Sequence, residues 1–165
     1  MNNSRKMKVG VEGDLFLPTL LDRLSLQGGR AMNRSAYRKT VVRDLNWLLN
    51  CTNLENQLPV LDFPQVRNSV LNFGIPPLAG GRFTESDLEA VAAGIQRSLA
   101  FFEPRILPES LKVSVIRDDA VDVYRFNHAR FRIEASYWFE PYPIDMVVRA
   151  HWDMETGGVE IREEQ

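Results

Sequence analysis

The sequence is poor in the residues that most often carry chemistry. It holds one cysteine, Cys51, and two histidines, His128 and His151, among 165 residues. A lone cysteine closes no disulfide within the chain and suits a reducing compartment. It stands in a helical pattern between Asn50 and Thr52, where it reads as a small packed or half-exposed residue. The histidines have neither a cysteine partner nor HExxH spacing, so no metal site is expected. The glycines of AGGRF follow no strand pattern and lack the Lys-Ser or Lys-Thr ending of a phosphate-cradling loop. No GxSxG elbow is present. Glu103, Glu134 and Glu140 lie beside aromatics, but nothing selects two of them as a glycosidase pair. These absences leave no catalytic residue and no cofactor to expect.

Long apolar runs are also missing. None approaches the roughly 20 residues of a membrane span, and the opening MNNSRKMKVGVEGDLF lacks the apolar core of a signal peptide. The expectation is a cytoplasmic protein. Neither sign of charge dominates: 20 Lys and Arg face 22 Asp and Glu, for a net charge of −2. No basic field is available for nucleic acid. The local basic stretch RAMNRSAYRKTVVR, residues 30–43, reads as a solvated helix face, with contact to an acidic protein as the alternative.

Hydrophobic residues make up 44% of the chain, enough for the core of one domain. Residues 1–13 read as a flexible lead and 14–165 as a single domain. Leu20, Leu21 and Leu24 suggest a short helix with an apolar face, opened by Pro18. Val41, Leu45, Leu48 and Leu49 recur at helical spacing after Ser35, a candidate N-cap. PQVRNSVLNFG predicts a helix from Pro64 to Gly74 with Val66, Val70 and Phe73 on one face. The strongest helix follows Thr84, with Leu88, Val91, Ala92, Ile95, Leu99 and Phe102 as its stripe. Gly94 within it suggests a neighbouring backbone close by.

After Pro108 the apolar period drops from 3.6 to 2. Leu111, Val113 and Val115 alternate. Phe131, Ile133, Ala135, Tyr137 and Phe139 do so next, and then Met146, Val148, Ala150 and Trp152. The short EPYPI connection makes the last two strands antiparallel neighbours. GGVEI adds a brief terminal strand, and AVDVYRF is a further strand or an ordered loop. The fold class expected is α+β, with N-terminal helices on one face of a C-terminal, mainly antiparallel sheet of three to four strands.

One stretch does not fit a plain helix stop. In FFEPRI, residues 101–106, proline pushes Glu103 out of the helical region. In an extended exit Glu103 and Arg105 would project side by side. Exposed, such a pair adds only about 0–1 kcal/mol, so the pair makes more sense as a docking point than as a fold staple. On that reading Glu103→Ala or Arg105→Ala weakens docking and leaves melting nearly intact.

Three stretches in order, LLDRL, SVLNFGIPPLAG and FFEPRI followed by the alternating strands, resemble the TssE baseplate subunits of type VI secretion systems. They also resemble the related phage baseplate-wedge proteins sometimes labelled lysozyme-like. The likeness covers residues 14 to 163. Phe73 stands where the family often has tyrosine, and Pro77 where it often has an acid. The resemblance implies a structural, non-enzymatic part of the baseplate wedge that helps start contractile sheath assembly. Its implied partners are wedge subunits of the TssF, TssG and TssK types and sheath subunits, at a baseplate docked near the inner membrane. Its implied partner interface is Glu103, Pro104 and Arg105, together with Asn72, Phe73, Gly74 and Pro76. A phage-tail wedge protein is the alternative, and a peptidoglycan-cleaving lysozyme a more distant one. The terminal strand could accept a strand from another chain, and Trp138, Arg149 and His151 would mark a second contact surface.

Overall fold

The computed structural model describes residues 18–24, 32–55, 63–76, 85–117 and 128–164. The chain packs as two compact units, residues 1–40 and 41–165. The expected lead, the Thr84 cap and the AVDVYRF segment lie outside the described residues.

In the first unit, α1 spans Leu20–Leu24. Thr19 Oγ1 accepts from Asp22 N at 3.4 Å and donates to the Asp22 carboxylate at 2.7 Å. The leucines of the expected apolar face are exposed: Leu20 by 63%, Leu21 by 57% and Leu24 by 76%. One and a half turns make too short a stripe to bury. The next helix, α2, spans Arg34–Leu49 and crosses the division between the units. Its cap is Asn33 and not Ser35: Asn33 Oδ1 accepts from Ala36 N at 2.9 Å. Both residue types cap well, and the helix starts early enough for the asparagine to take the position.

In the second unit, the rest of α2 buries Val41, Leu45, Leu48 and Leu49, the stripe that the spacing predicts. Cys51 falls just past the helix end and is exposed, not packed within it. The helix expected from Pro64 to Gly74 breaks in two. Helix α3 spans Pro64–Arg67, and a 3-10 turn covers Val70–Asn72. Ser69 causes the break. Its hydroxyl donates to Val66 O at 2.9 Å and accepts from Leu71 N at 3.2 Å, replacing main-chain bonds that would continue the helix. Val70 is consequently 81% exposed.

Helix α4, Glu85–Phe102, buries Leu88, Ala92, Ile95 and Leu99. Among the described residues four antiparallel strands follow: β1 Lys112–Val115, β2 His128–Tyr137, β3 Ile144–Asp153 and β4 Val159–Glu164. They lie in sequence order, so among the described residues β1 and β4 are the edges, and α4 packs against β1. Ile133 faces Val148, and Ala150 faces Ile161. Phe131, Ile133, Ala135, Tyr137, Met146, Val148, Ala150 and Trp152 are all buried on one face. This is the expected α+β arrangement, with N-terminal helices and a four-stranded C-terminal antiparallel sheet. The terminal strand is six residues long, where the sequence suggests only a brief one.

The opposite sheet face carries ion pairs. Arg132 meets Glu134 at 3.0 Å, and Arg162 meets Glu160 at 2.8 Å. Arg149 pairs with Glu164. That bond is the main reason the Glu164 carboxyl titrates below its usual range.

Candidate functional site

The site begins where α4 ends. Pro104 has no N–H to continue the helix and constrains the residue before it. Glu103 N still donates to Leu99 O at 2.9 Å, but the chain then turns, and Ile106 N donates to Glu103 O at 3.1 Å. The exit is thus a tight turn and not the extended segment expected. Its far side is pinned to the end of β2. Leu107 N donates to Ser136 O at 2.9 Å, Trp138 N donates to Arg105 O at 2.8 Å, and Ile106 is buried.

Within this turn Glu103 and Arg105 do meet. Arg105 Nε donates to Glu103 Oε1 and Nη2 to Oε2, each at 2.6 Å, in the two-pronged geometry that suits guanidinium and carboxylate. The main-chain N–H of Arg105 adds a third bond to Oε1 at 3.2 Å. The burial differs from the surface pair that the sequence suggests: Glu103 is only 5% exposed within the chain itself. Pro104, between them, is exposed.

The pair also has a partner that the sequence reading overlooked. Arg105 Nη2 donates to Asp44 Oδ2 on α2 at 2.8 Å. The other oxygen of Asp44 accepts from Arg43 Nε at 2.9 Å and Nη2 at 2.8 Å, and the Arg43 guanidinium lies 4.7 Å from the Trp47 ring centroid. Charges therefore alternate from the buried turn to the surface of α2. Burial alone would lower the Arg105 pKa. Glu103 and Asp44 outweigh it and hold that pKa above the ordinary arginine value. Asp44 lies off the apolar stripe, so helical spacing assigns it to solvent. Nothing local in the sequence announces an arginine arriving 61 residues later.

The second motif is also tied inward. Asn72 is 3% exposed. Its Oδ1 accepts from Leu54 N and its Nδ2 donates to Arg67 O, both at 3.0 Å. Gly74 has φ of +120°, and a Cβ there would stand 2.3 Å from Cys51 O. Only glycine permits this approach, which lets Ile75 N donate to Cys51 O and Asn53 N to Ile75 O, both at 2.9 Å. A Cβ at Gly94 would lie 3.5 Å from Pro76 Cγ, so the neighbour of that glycine is a proline ring and not the backbone expected. Phe73 sets its ring edge-on to Phe102, with centroids 5.3 Å apart. Phe102 immediately precedes Glu103. Two of the three stretches that carry the resemblance, SVLNFGIPPLAG and FFEPRI, therefore adjoin through this ring contact.

A family model described as baseplate wedge protein gp25 matches residues 35–142, which include the SVLNFGIPPLAG and FFEPRI stretches and Asp44 but not LLDRL. The chain belongs to this family. It is a family of structural baseplate proteins that takes in TssE and phage wedge proteins alike. No curated protein and no solved structure gives a significant match. The family assignment fits a site made of packing, turns and ion pairs. Of the other residues weighed from sequence, His128, Glu140 and Trp138 are exposed around the sheet, and Glu134 is half-buried on its charged face. His151 faces Arg130 and Glu160 across its strands. Partial burial, then Arg130 and Arg162, lowers its pKa.

Proposed function

We propose that this chain is a structural subunit of a type VI secretion baseplate wedge. In this reading it binds wedge subunits of the TssF, TssG and TssK types and contractile sheath subunits, and helps start sheath polymerisation. It works on the cytoplasmic side, near the inner membrane. The observation that carries the reading is the wedge-family match across the segment holding both motifs. Further support comes from the surface: Pro104 is exposed at the turn, and Phe101 beside it is 49% exposed. Among the described residues no helix is long and apolar enough to cross a membrane.

In this proposal the contact is made around Pro104 and the partly exposed edge of Arg105, with Glu103 behind them. Asn72, Phe73, Gly74 and Pro76 shape the neighbouring surface. The experiment is affinity capture of the tagged full chain from its native cell. Wedge and sheath subunits are expected among the captured proteins; their absence would overturn the reading. Capture of phage tail proteins instead would favour the particle form of the same family. Measurable cell-wall lysis by the purified chain would overturn the non-enzymatic assignment.

A further inference from the structure

We infer that Asp44 is a positioning residue for the Glu103–Arg105 pair, fixing the arginine in the orientation that a partner chain meets. The inference rests on the proposed wedge role and adds to it a residue that neither motif contains.

Three bonds join Arg105 to Glu103 inside one turn. They tie the guanidinium to its own turn, whose main chain is held to β2, but not to the helix across from it. Asp44 stands on a different element whose position is firmly set: Val41, Leu45 and Leu48, within one turn of it, are 0%, 0% and 2% exposed. Its Oδ2 therefore anchors Arg105 Nη2 to the rigid part of α2. Charge supports the same assignment. Arg43, Asp44, Glu103 and Arg105 form a chain of two cations and two anions, with a net charge of zero. Removing the Asp44 charge takes from Arg105 one of the two carboxylates it bonds, and from Arg43 its bridge to the turn.

Exposure gives the cluster a direction. The Glu103 side chain is 6% exposed, but those of Arg105 and Asp44 are 17% and 21% exposed. The opening to the surface thus lies on the Arg105–Asp44 side, next to exposed Pro104. A chain docking on the turn would meet an arginine whose plane is held between a turn carboxylate and a helix carboxylate. Such pre-organisation reduces what binding must order.

The test pairs two readouts on the full-length chain. Nitrogen-detected NMR reads the Nε–H of Arg105, which the Glu103 bond should make slow to exchange with solvent. Capture from the native cell reads wedge and sheath subunits. Asp44→Asn keeps the shape and removes the charge. It should speed exchange at Arg105 Nε–H and lower capture about fivefold, a size typical of coupling between touching groups. Asp44→Glu should restore part of both. If Asp44→Asn unfolds the chain, the comparison moves to Asp44→Glu, whose longer arm displaces the carboxylate without removing it. Unchanged exchange in the folded variant overturns the positioning role. Faster exchange with undiminished capture overturns its link to docking. Wild-type chain that captures no wedge or sheath subunit defeats the wedge reading instead, while the NMR result still decides whether Asp44 holds Arg105.

Discussion

At the scale of single residues, the two glycines next to the motifs make opposite demands. Gly74 allows no side chain, since a Cβ would press to 2.3 Å on a main-chain oxygen at φ +120°. Gly74→Ala should destabilise the chain by about 3 kcal/mol, the upper range for single substitutions, with strained backbone as the cause. Gly94 does allow one, because Pro76 Cγ would lie at an ordinary 3.5 Å. Gly94→Ala should stabilise by about 1 kcal/mol by removing the helix penalty of glycine. Chemical denaturation of the two variants checks both signs. Glu103 belongs to the same scale. A carboxylate 5% exposed and bonded to a guanidinium cannot be removed quietly. Glu103→Ala should lose roughly 3–5 kcal/mol, because Arg105 would be left partly buried without its main counter-charge. The sequence alone suggests the reverse, an unchanged melt, because spacing does not reveal how deeply a turn folds inward. A melt unchanged from wild type would restore the surface-pair reading.

Among elements, legibility follows the number of residues that repeat a pattern. Helix α4 and strands β2 and β3 have long stripes, and each forms where its period says it should. The segment from Pro64 to Gly74 has apolar residues at helical spacing too, yet Ser69 interrupts it with two side-chain bonds to the main chain. Such local competition is invisible to periodicity. Asn50 shows the same limit between distant elements. Its Nδ2 donates to Val159 O and its Oδ1 accepts from Val159 N, both at 3.0 Å, fastening the loop after α2 to strand β4. Asn50→Ala should cost about 1–2 kcal/mol, at the net worth of two hydrogen bonds. Amide exchange should accelerate first at Val159. Equal acceleration along all of β3 would mean that the side chain holds the whole sheet and not its edge.

For the whole molecule, the resemblance was legible while its physical basis was not. The sequence shows Glu103 with Arg105 and Asn72 with Phe73 and Gly74 as two separate signatures. The fold joins them through Phe73 on Phe102 and Pro76 against Gly94, and adds Asp44 from a third segment. Global pH response should centre on His151. Burial and nearby arginines lower its pKa in the folded chain, so the unfolded chain binds more protons as pH falls through about 6.5. Stability should therefore be full above that value and decline below it. His151→Gln should flatten this decline between pH 7 and 5.5 in melting experiments; an unaltered slope would assign it to other groups.

The Asn50 clamp has one more consequence, for any guest that would lengthen the sheet. Val159 is already answered on its outer side by an amide that imitates a neighbouring main chain. The next residue facing outward is Ile161. A newcomer must start its ladder there or first evict Asn50, so the rim of this sheet comes with its zero mark already cut.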